Sequence, residues 1–369
     1  MILVQLSLLT LAAIWLGYPA VMAMLARLRG PAVGRWQGEL PTVSVILATR
    51  AEPRPIRERV ENLVAAEYPA DRIEILVCLD RDAGEVAAVE RELGVVAKGR
   101  RVAVIEGPAP GGKAATVNAG AARASGSILA FADTAQRFER DALRRLVDGL
   151  ADERVGAVSG RLLMAEEAVS ATLAEWYWRL ERRLRRDEAR VHSAVGVTGA
   201  IYAMRRELFT AFPAGLILDD LFTPMQLVLG GYRIGYVDEA IAREPRRFSI
   251  AEERRRKVRT LTGVWQLCRW MPGVLLPWRN PIWAQFVAHK LLRFASPLLV
   301  LLMAAGVFAE ALLAARTPAG GPVLAGVLAG LLAIAGVPPA RRLVRELLHL
   351  NAALMEAAVN GVLGRWSVW

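Results

Sequence analysis

Two adjacent carboxylates late in the chain have the type and setting of a general base. Asp219 and Asp220 follow a short hydrophobic segment at 201–204 and precede a predicted helix, and an arginine-rich segment at 254–259 comes next. A carboxylate pair in this position can accept a proton, and the arginines can neutralise the charge on a departing diphosphate. The order of these residues indicates a group-transfer site, provided that the fold brings them together.

The elements that must position these residues follow an α/β pattern. Between residues 41 and 245, short β-branched runs alternate with amphipathic helices, as in parallel α/β folds. Asp80 and Asp133 each come directly after a predicted strand. Ligands bind at the carboxyl ends of such strands, so both aspartates are expected along one crevice, although each could instead cap the helix that follows it. The predicted strands are 43–48, 73–79, 102–105, 128–132 and 201–204, and the first helix is 56–66.

The composition indicates a membrane protein with a soluble domain. Of the 369 residues, 47 are basic and 36 acidic, giving a net charge of +11, and 54% are hydrophobic. The basic residues cluster beside apolar segments, which favours anionic membrane lipid over nucleic acid as a partner. The two cysteines lack metal-ligand spacing and the three histidines are scattered, which argues against a disulfide scaffold and a zinc site.

Apolar segments flank the soluble region. Residues 1–26 predict a spanning helix, with a cleaved signal peptide as the alternative, and the arginines after it place the next domain in the cytoplasm. Residues 296–315 and 322–338 predict two further spans, and 347–363 predict a fourth span or an interfacial helix. We therefore expect a multi-pass protein of the inner or plasma membrane. Its predicted parts are a transmembrane helix at 1–26, a catalytic domain at 41–245, interfacial helices at 246–290 and transmembrane helices at 291–366.

Six motifs in a fixed order resemble those of membrane-bound family-two glycosyltransferases, which include cellulose, hyaluronan and exopolysaccharide synthases. The motifs are residues 43–52, the strand ending at Asp80, Gly112-Lys113 through Asn118-Ala-Gly120, residues 131–133, residues 196–200 and Asp219-Asp220. The resemblance covers about residues 41 to 270. It implies an α/β fold of the GT-A type, inserted between transmembrane helices. It further implies inverting transfer of a sugar from a nucleoside-diphosphate sugar, with UDP expected, to a lipid or a growing polysaccharide.

The resemblance also implies roles for the acidic residues. Asp220 is the expected catalytic base, with Asp219 in the position where the family commonly has glutamate. Asp133 is the expected ligand of Mg²⁺ or Mn²⁺, but Phe131 stands where the first carboxylate of the metal motif is expected. Phosphate oxygens and water would then have to complete the shell of the hard cation.

The donor-binding residues come from several segments. Lys113 follows two glycines and begins a predicted helix, where it can present its ammonium to a nucleotide or remain a solvated lysine. A literal Gln-x-x-Arg-Trp sequence stands at 266–270, whereas the distance from Asp220 favours 256–260 as its equivalent, with Arg259 first. Arg269 and Trp270 could instead belong to an interfacial helix. The expected donor-binding set is Thr49, Glu52, Asp80, Lys113, Arg256, Arg259, Gln266, Arg269 and Trp270.

Alternatives to sugar transfer remain open. A membrane-associated nucleotidyltransferase would share the nucleotide crevice but would release pyrophosphate instead of a nucleoside diphosphate. A nucleotide-regulated transporter would also combine spans with an α/β unit, although the apolar segments show no inverted repeat. If the product is a polymer, three or four spans are few for a channel, and export would need a homo-oligomer or a partner protein.

Overall fold

A computed structural model describes residues 2–29, 34–81, 83–94, 99, 101–108, 111–164, 173–246, 250–314, 325–326, 329–330, 336 and 338–366. The chain forms two compact units. The first comprises Met1–Val21, Ser249–Trp265 and Ala284–Trp369, and the second comprises Met22–Phe248 and Gln266–Trp283. The helices are α1 Ile2–Arg27, α2 Pro53–Val64, α3 Ala83–Leu93, α4 Gly112–Arg123, α5 Ala142–Gly149, α6 Leu173–Val191, α7 Asp219–Leu229, α8 Ile250–Trp270, α9 Trp283–Ala314 and α10 Pro338–Leu363.

The second unit contains a mixed β-sheet. Among the residues described above, its eight strands have the order β3-β2-β1-β4-β7-β6-β8-β5. The first four in this order are parallel, and β7 runs antiparallel to both of its neighbours. The five predicted strands are confirmed to within one residue at each end. The strands are β1 Val43–Thr49, β2 Ile73–Leu79, β3 Arg101–Glu106, β4 Ile128–Ala132, β5 Arg137–Phe138, β6 Val155–Met164, β7 Ile201–Arg205 and β8 Arg233–Glu244.

Three strands of the parallel half of the sheet, β1, β2 and β4, are buried on both faces, whereas the edge strand β3 is largely exposed. Every residue of β2 and β4 is buried, and so are all but one of β1, because helices cover the two sides. Gly120 lets α4 approach β2 closely, since a Cβ atom at this position would lie 2.5 Å from the Cys78 sulfur. A dense core behind the strand ends gives the crevice a rigid base.

A buried polar network fixes the start of β4 beside β1 and β2. The Glu74 carboxylate accepts hydrogen bonds from the Ser44 hydroxyl at 2.5 Å and from the backbone N–H of Ser125 at 2.7 Å. Burial alone would raise the pKa of Glu74, but these hydrogen bonds and the nearby Arg101 guanidinium lower it below its ordinary value. The network is therefore held together by an ionised carboxylate.

The first unit contains the longest apolar helices. α1 and α9 are each long and apolar enough to cross a membrane. They pack together, with the Trp15 indole donating to the Ser296 hydroxyl at 3.0 Å. α10 packs through Ala353 and Ala357 on α8. Most of the predicted span at 322–338 lies outside the described residues, and the choice between a span and an interfacial helix for 347–363 stays a prediction.

Candidate active site

The carboxyl ends of three neighbouring strands meet at one edge of the sheet. Thr49 ends β1, Asp80 follows β2 and Asp133 follows β4, and β1 pairs in parallel with both neighbours. In this register Leu79 lies opposite Thr49, so Asp80 is directly beside the end of β1. The two aspartates therefore lie at the same edge of the sheet, and the expectation that both line one crevice stays a prediction.

Asp80 is buried, and its carboxylate caps a helix that is distant in sequence. Its Oδ1 accepts the N–H of Gly111 at 3.0 Å, and its Oδ2 accepts the N–H of Gly112 at 2.8 Å. The Arg50 guanidinium donates to the same carboxylate at 2.7 Å. The alternative interpretation of Asp80 as a cap is thus correct in kind, but the capped helix is α4 rather than the next helix, α3. This cap fixes the start of α4, from which Lys113 projects.

The other two residues expected at the nucleoside have different surroundings. The Glu52 side chain is 74% exposed and forms an ion pair with Arg81 at 2.8 Å. The Thr49 hydroxyl accepts hydrogen bonds from the Ala51 N–H at 2.9 Å and the Thr134 hydroxyl at 2.7 Å. Glu52 is therefore open to a ligand, whereas Thr49 ties the end of β1 to the segment after β4.

Lys113 connects two carboxylates that are far apart in sequence. Its ammonium lies 3.2 Å from Oδ1 of Asp133 and 3.4 Å from Oδ2 of Asp219. Burial would lower the pKa of Lys113, but the carboxylates of Asp133, Asp219 and Asp220 raise it above its ordinary value. The lysine is therefore a fixed positive charge at the centre of the acidic cluster.

Asp219 and Asp220 form the first turn of α7, under a glycine-containing loop. The N–H of Val197 donates to the Asp220 carbonyl at 2.9 Å, and a Cβ at Gly199 would lie 3.4 Å from the Asp220 Cβ. The loop thus lies close beside Asp220, and a Cβ at position 199 would make only an ordinary van der Waals contact with it. Both carboxylates are therefore placed at the start of α7, next to this loop.

Arg185 of α6 is a site residue that the sequence interpretation missed. Its guanidinium donates to the Thr198 hydroxyl at 3.3 Å and to Glu181 at 3.0 Å. Burial would lower the pKa of Arg185, but Glu181 and more distant negative groups, Asp220 among them, raise it. Glu181 is buried and Arg185 is partly buried in this ion pair. The four-residue spacing of glutamate and arginine was the available signal.

Asp133 has no acidic neighbour two positions away on either side. Phe131 lies inside β4, where its ring stacks on Tyr202 with the centroids 4.3 Å apart, and position 135 is alanine. Position 131 thus belongs to the hydrophobic packing behind the crevice. Asp133 is the one carboxylate that this segment supplies.

Asp133 and Asp219 nevertheless converge on a single cation position, which the Lys113 ammonium occupies. Carboxylate oxygens are the donors that Mg²⁺ and Mn²⁺ prefer. In the described part of the chain, no three His, Cys, Asp or Glu side chains surround one point. The donor set therefore fits a divalent cation only if a diphosphate and water supply the remaining ligands.

These residues line a narrow cavity. Its walls include Lys113, Asp133, Gly199 and Asp219, with apolar residues of β1 and β4 behind them. A larger cavity of about 290 Å³ elsewhere in the second unit contains none of the predicted site residues. The larger cavity is lined by Gly34, Arg35, Arg145, Asp148, Arg186, Arg190, Tyr236, Val237, Asp238 and Glu239.

Two amide side chains from the sequence motifs hold the segment that leads into α7. Gln266 is buried, accepts the N–H of Ile217 at 2.9 Å and donates to the Gly215 carbonyl at 2.9 Å. Asn118 accepts the N–H of Phe212 at 2.8 Å and donates to its carbonyl at 2.9 Å. Gln266 thus has a positioning role in this structure, and its predicted contact with the donor stays untested.

The remaining predicted donor-binding residues all lie on α8. Arg256 and Arg259 belong to its N-terminal part, in the first unit. Arg269, which is exposed, and Trp270 lie at its C-terminal end, in the second unit. Which of the two arginine segments reaches the donor stays a prediction.

Comparison with known proteins agrees with this geometry. Residues 41–263 match the family model described as "Glycosyltransferase like family 2". The probable glycosyltransferase YdaM of Bacillus subtilis (strain 168) is 31% identical over 132 residues, which are 35% of this chain and 31% of that protein. The beta-monoglucosyldiacylglycerol synthase of Synechocystis sp. is 29% identical over 130 residues, which are 35% of this chain and 27% of that protein. The match thus spans less than a third of the length of these relatives.

A solved structure resembles nearly the whole chain. The mannosyltransferase PcManGT from Pyrobaculum calidifontis, in complex with GDP-Man and Mn²⁺, superimposes with a TM-score of 0.74 at 24% identity. The alignment covers 98% of this chain and 99% of that one. This likeness confirms the predicted α/β fold of the GT-A type.

Proposed function

Because the chain belongs to the glycosyltransferase like family 2, we propose that it is an inverting enzyme that uses a nucleoside-diphosphate sugar at a membrane surface. The single observation that carries this proposal is that Lys113 forms ion pairs with Asp133 and Asp219, at 3.2 and 3.4 Å. These residues lie beside the edge of the sheet where Asp80 follows β2. A fixed cation among carboxylates can serve both parts of the reaction, diphosphate departure and proton removal.

The donor is expected to place its nucleoside at the ends of β1 and β2. Glu52 is exposed there, and Asp80 holds the N-terminal N–H groups of α4 in place. UDP is the nucleotide that the sequence motifs favour, whereas the mannosyltransferase with the same fold was solved with GDP-Man. Both nucleotides therefore belong in any donor panel.

The chemical step is a single displacement at the anomeric carbon. The acceptor oxygen forms a bond to that carbon, the bond to the diphosphate oxygen breaks, and the hydroxyl proton passes to Asp220. One displacement inverts the configuration. Asp220 is placed for the role of base because it lies in the first turn of α7, beside the loop at 196–200.

Positive charge near the leaving diphosphate comes first from Lys113. Arg259 and Arg256 are further candidates, and Gln266, Arg269 and Trp270 belong to the competing segment of α8. A divalent cation, Mg²⁺ or Mn²⁺, held by Asp133 would neutralise part of the charge that develops on the diphosphate. The charge of Lys113 is part of the chain itself and needs no such ion.

The acceptor is expected to be a membrane lipid or a growing polysaccharide. Two helices, α1 and α9, are long and apolar enough to cross a bilayer. A lipid acceptor is supported by the synthases of monoglucosyldiacylglycerol among the relatives. Arginines directly after α1 favour a cytoplasmic catalytic domain on a multi-pass protein of the inner or plasma membrane. An export partner or homo-oligomer enters the proposal only if the product is a polymer.

The test is a donor panel on the detergent-purified protein. UDP- and GDP-sugars are offered with lipid extract, and release of nucleoside diphosphate is followed together with label in lipid and polymer fractions. We expect nucleoside diphosphate release coupled to a labelled lipid. Pyrophosphate release would instead support a nucleotidyltransferase, and label confined to a polymer would replace the lipid acceptor with a polysaccharide.

A further inference from the structure

The cation position of the crevice is filled by the chain itself. The Lys113 ammonium lies within 3.4 Å of carboxylate oxygens from both Asp133 and Asp219. Asp80 caps the helix that carries Lys113, so the backbone of Lys113 is fixed beside the two aspartates. The two aspartates therefore already have a counter-ion before any ligand enters.

This arrangement bears on how a divalent cation can enter. A divalent cation and an ammonium that share the same carboxylates repel each other strongly at a few ångströms, even at a surface-like dielectric constant. Asp133 lacks a second acidic residue two positions away that could hold the metal apart from the lysine. An incoming cation must therefore displace Lys113 from Asp133.

We propose that Lys113 excludes divalent cations from the donor-free crevice, so that a cation enters only with the diphosphate of the donor. This inference rests on the proposed function, because it takes the ligand to be a nucleoside-diphosphate sugar. The diphosphate gives the ammonium new anionic partners and completes the oxygen shell of the cation. Cation and donor then bind as one unit.

The experiment measures Mn²⁺ binding to the full-length, detergent-purified protein without nucleotide, from the electron paramagnetic resonance signal of free Mn²⁺. The parent should bind Mn²⁺ weakly, and Lys113→Met should bind it roughly tenfold or more tightly, because a positive charge is removed from beside three carboxylates. Lys113→Arg, which keeps the charge, should behave like the parent. Arg123→Met, an exposed position at the end of the same helix, is the matched control and should also match the parent.

Equal Mn²⁺ affinities of the parent and Lys113→Met, whether strong or weak, would overturn the proposal. In the Lys113→Met background, Asp133→Asn should remove the gain in affinity; a gain that persisted would place the cation elsewhere and would also count against the proposal. If Lys113→Met loses the circular dichroism spectrum of the parent, Lys113→Gln serves the same comparison.

This measurement is independent of sugar transfer. Strong Mn²⁺ binding by the donor-free parent would overturn the role of Lys113 and leave the transfer reaction intact. Failure of every donor in the panel would overturn the proposed function, whatever the Mn²⁺ affinities are.

Discussion

At the scale of single residues, Asp219 and Asp220 lie in different surroundings at the start of α7. Asp219 forms an ion pair with Lys113 at 3.4 Å, whereas Asp220 lies against the loop at 196–200, whose Val197 N–H donates to its backbone carbonyl. The proposed function assigns the base to Asp220, the position to which the resemblance to family-two glycosyltransferases gives this role.

Asp220→Asn should reduce kcat by about 10²- to 10⁴-fold, because the amide cannot accept the acceptor proton. Binding of the nucleoside diphosphate should stay within about twofold of the parent, since this variant keeps the size of the side chain. Steady-state kinetics and calorimetry on the same preparation separate the two effects. Turnover at the parental rate would show that another group is the base.

Arg185 offers a second prediction at this scale. It connects Glu181 to the Thr198 hydroxyl in the loop beside Asp220, so Arg185→Met should displace that loop and lower kcat by roughly tenfold, the loss of a charge-assisted hydrogen bond. Arg185→Lys should recover part of the rate. The exposed Arg183, on the same helix, supplies the control Arg183→Met. An Arg185→Met enzyme with the parental kcat would make this arginine purely structural.

At the scale of elements, β1 to β4 and β7 were predictable from the sequence, whereas β5, β6 and β8 were not. β1, β2 and β4 are short apolar runs with polar residues directly after them, so their ends could be found from the pattern alone. β6 and β8, which pair in parallel with each other, carry glycine and charged residues and lack such a clear apolar run. For the same reason, the strand ends of Asp80 and Asp133 were predictable, but the approach of Lys113 to Asp219 was not.

The contact between α8 and the segment before α7 carries a stability prediction. Gln266 accepts the buried N–H of Ile217 and donates to the carbonyl of the exposed Gly215, so Gln266→Leu should destabilise the protein by about 1–3 kcal/mol, mainly for the unsatisfied backbone N–H. Thermal unfolding in detergent measures this change. Arg269→Met, an exposed position on the same helix, is the control, and an unchanged unfolding temperature for Gln266→Leu would show that the two hydrogen bonds are dispensable.

The Glu74 network between β1, β2 and the start of β4 predicts a pH dependence of stability. Its pKa is lowered in the folded state, so its contribution is present above the ordinary glutamate pKa of about 4.3 and is lost as the pH falls through the lower folded value. Glu74→Gln should therefore be less stable than the parent at neutral pH, and the difference should shrink on acidification. Urea unfolding at several pH values tests this, and a difference that did not change with pH would rule out the charge of Glu74 as its source.

At the scale of the whole molecule, α1 and α9 expose apolar surface that must be shielded from water. Leu6 and Leu9 of α1 are 58% and 66% exposed, and Leu298 and Leu313 of α9 are 56% and 57% exposed. Contiguous apolar surface of this extent is unfavourable in water, where each Å² costs about 25 cal/mol. The length and composition of these helices indicate that membrane lipid surrounds this apolar surface.

Membrane insertion is tested by extraction with alkaline carbonate, which releases peripheral proteins. The parent should remain in the membrane pellet, and the pair Leu9→Arg and Leu301→Arg should shift protein to the supernatant, since each arginine near a bilayer centre costs about 2.5–3.5 kcal/mol. Both leucines are at least 43% exposed, so neither substitution disturbs a buried core. Arg123→Met, on a helix of the catalytic domain, should leave the distribution unchanged. Release of the parent itself would show that α1 and α9 do not anchor the chain, and the acceptor would then have to be sought in solution.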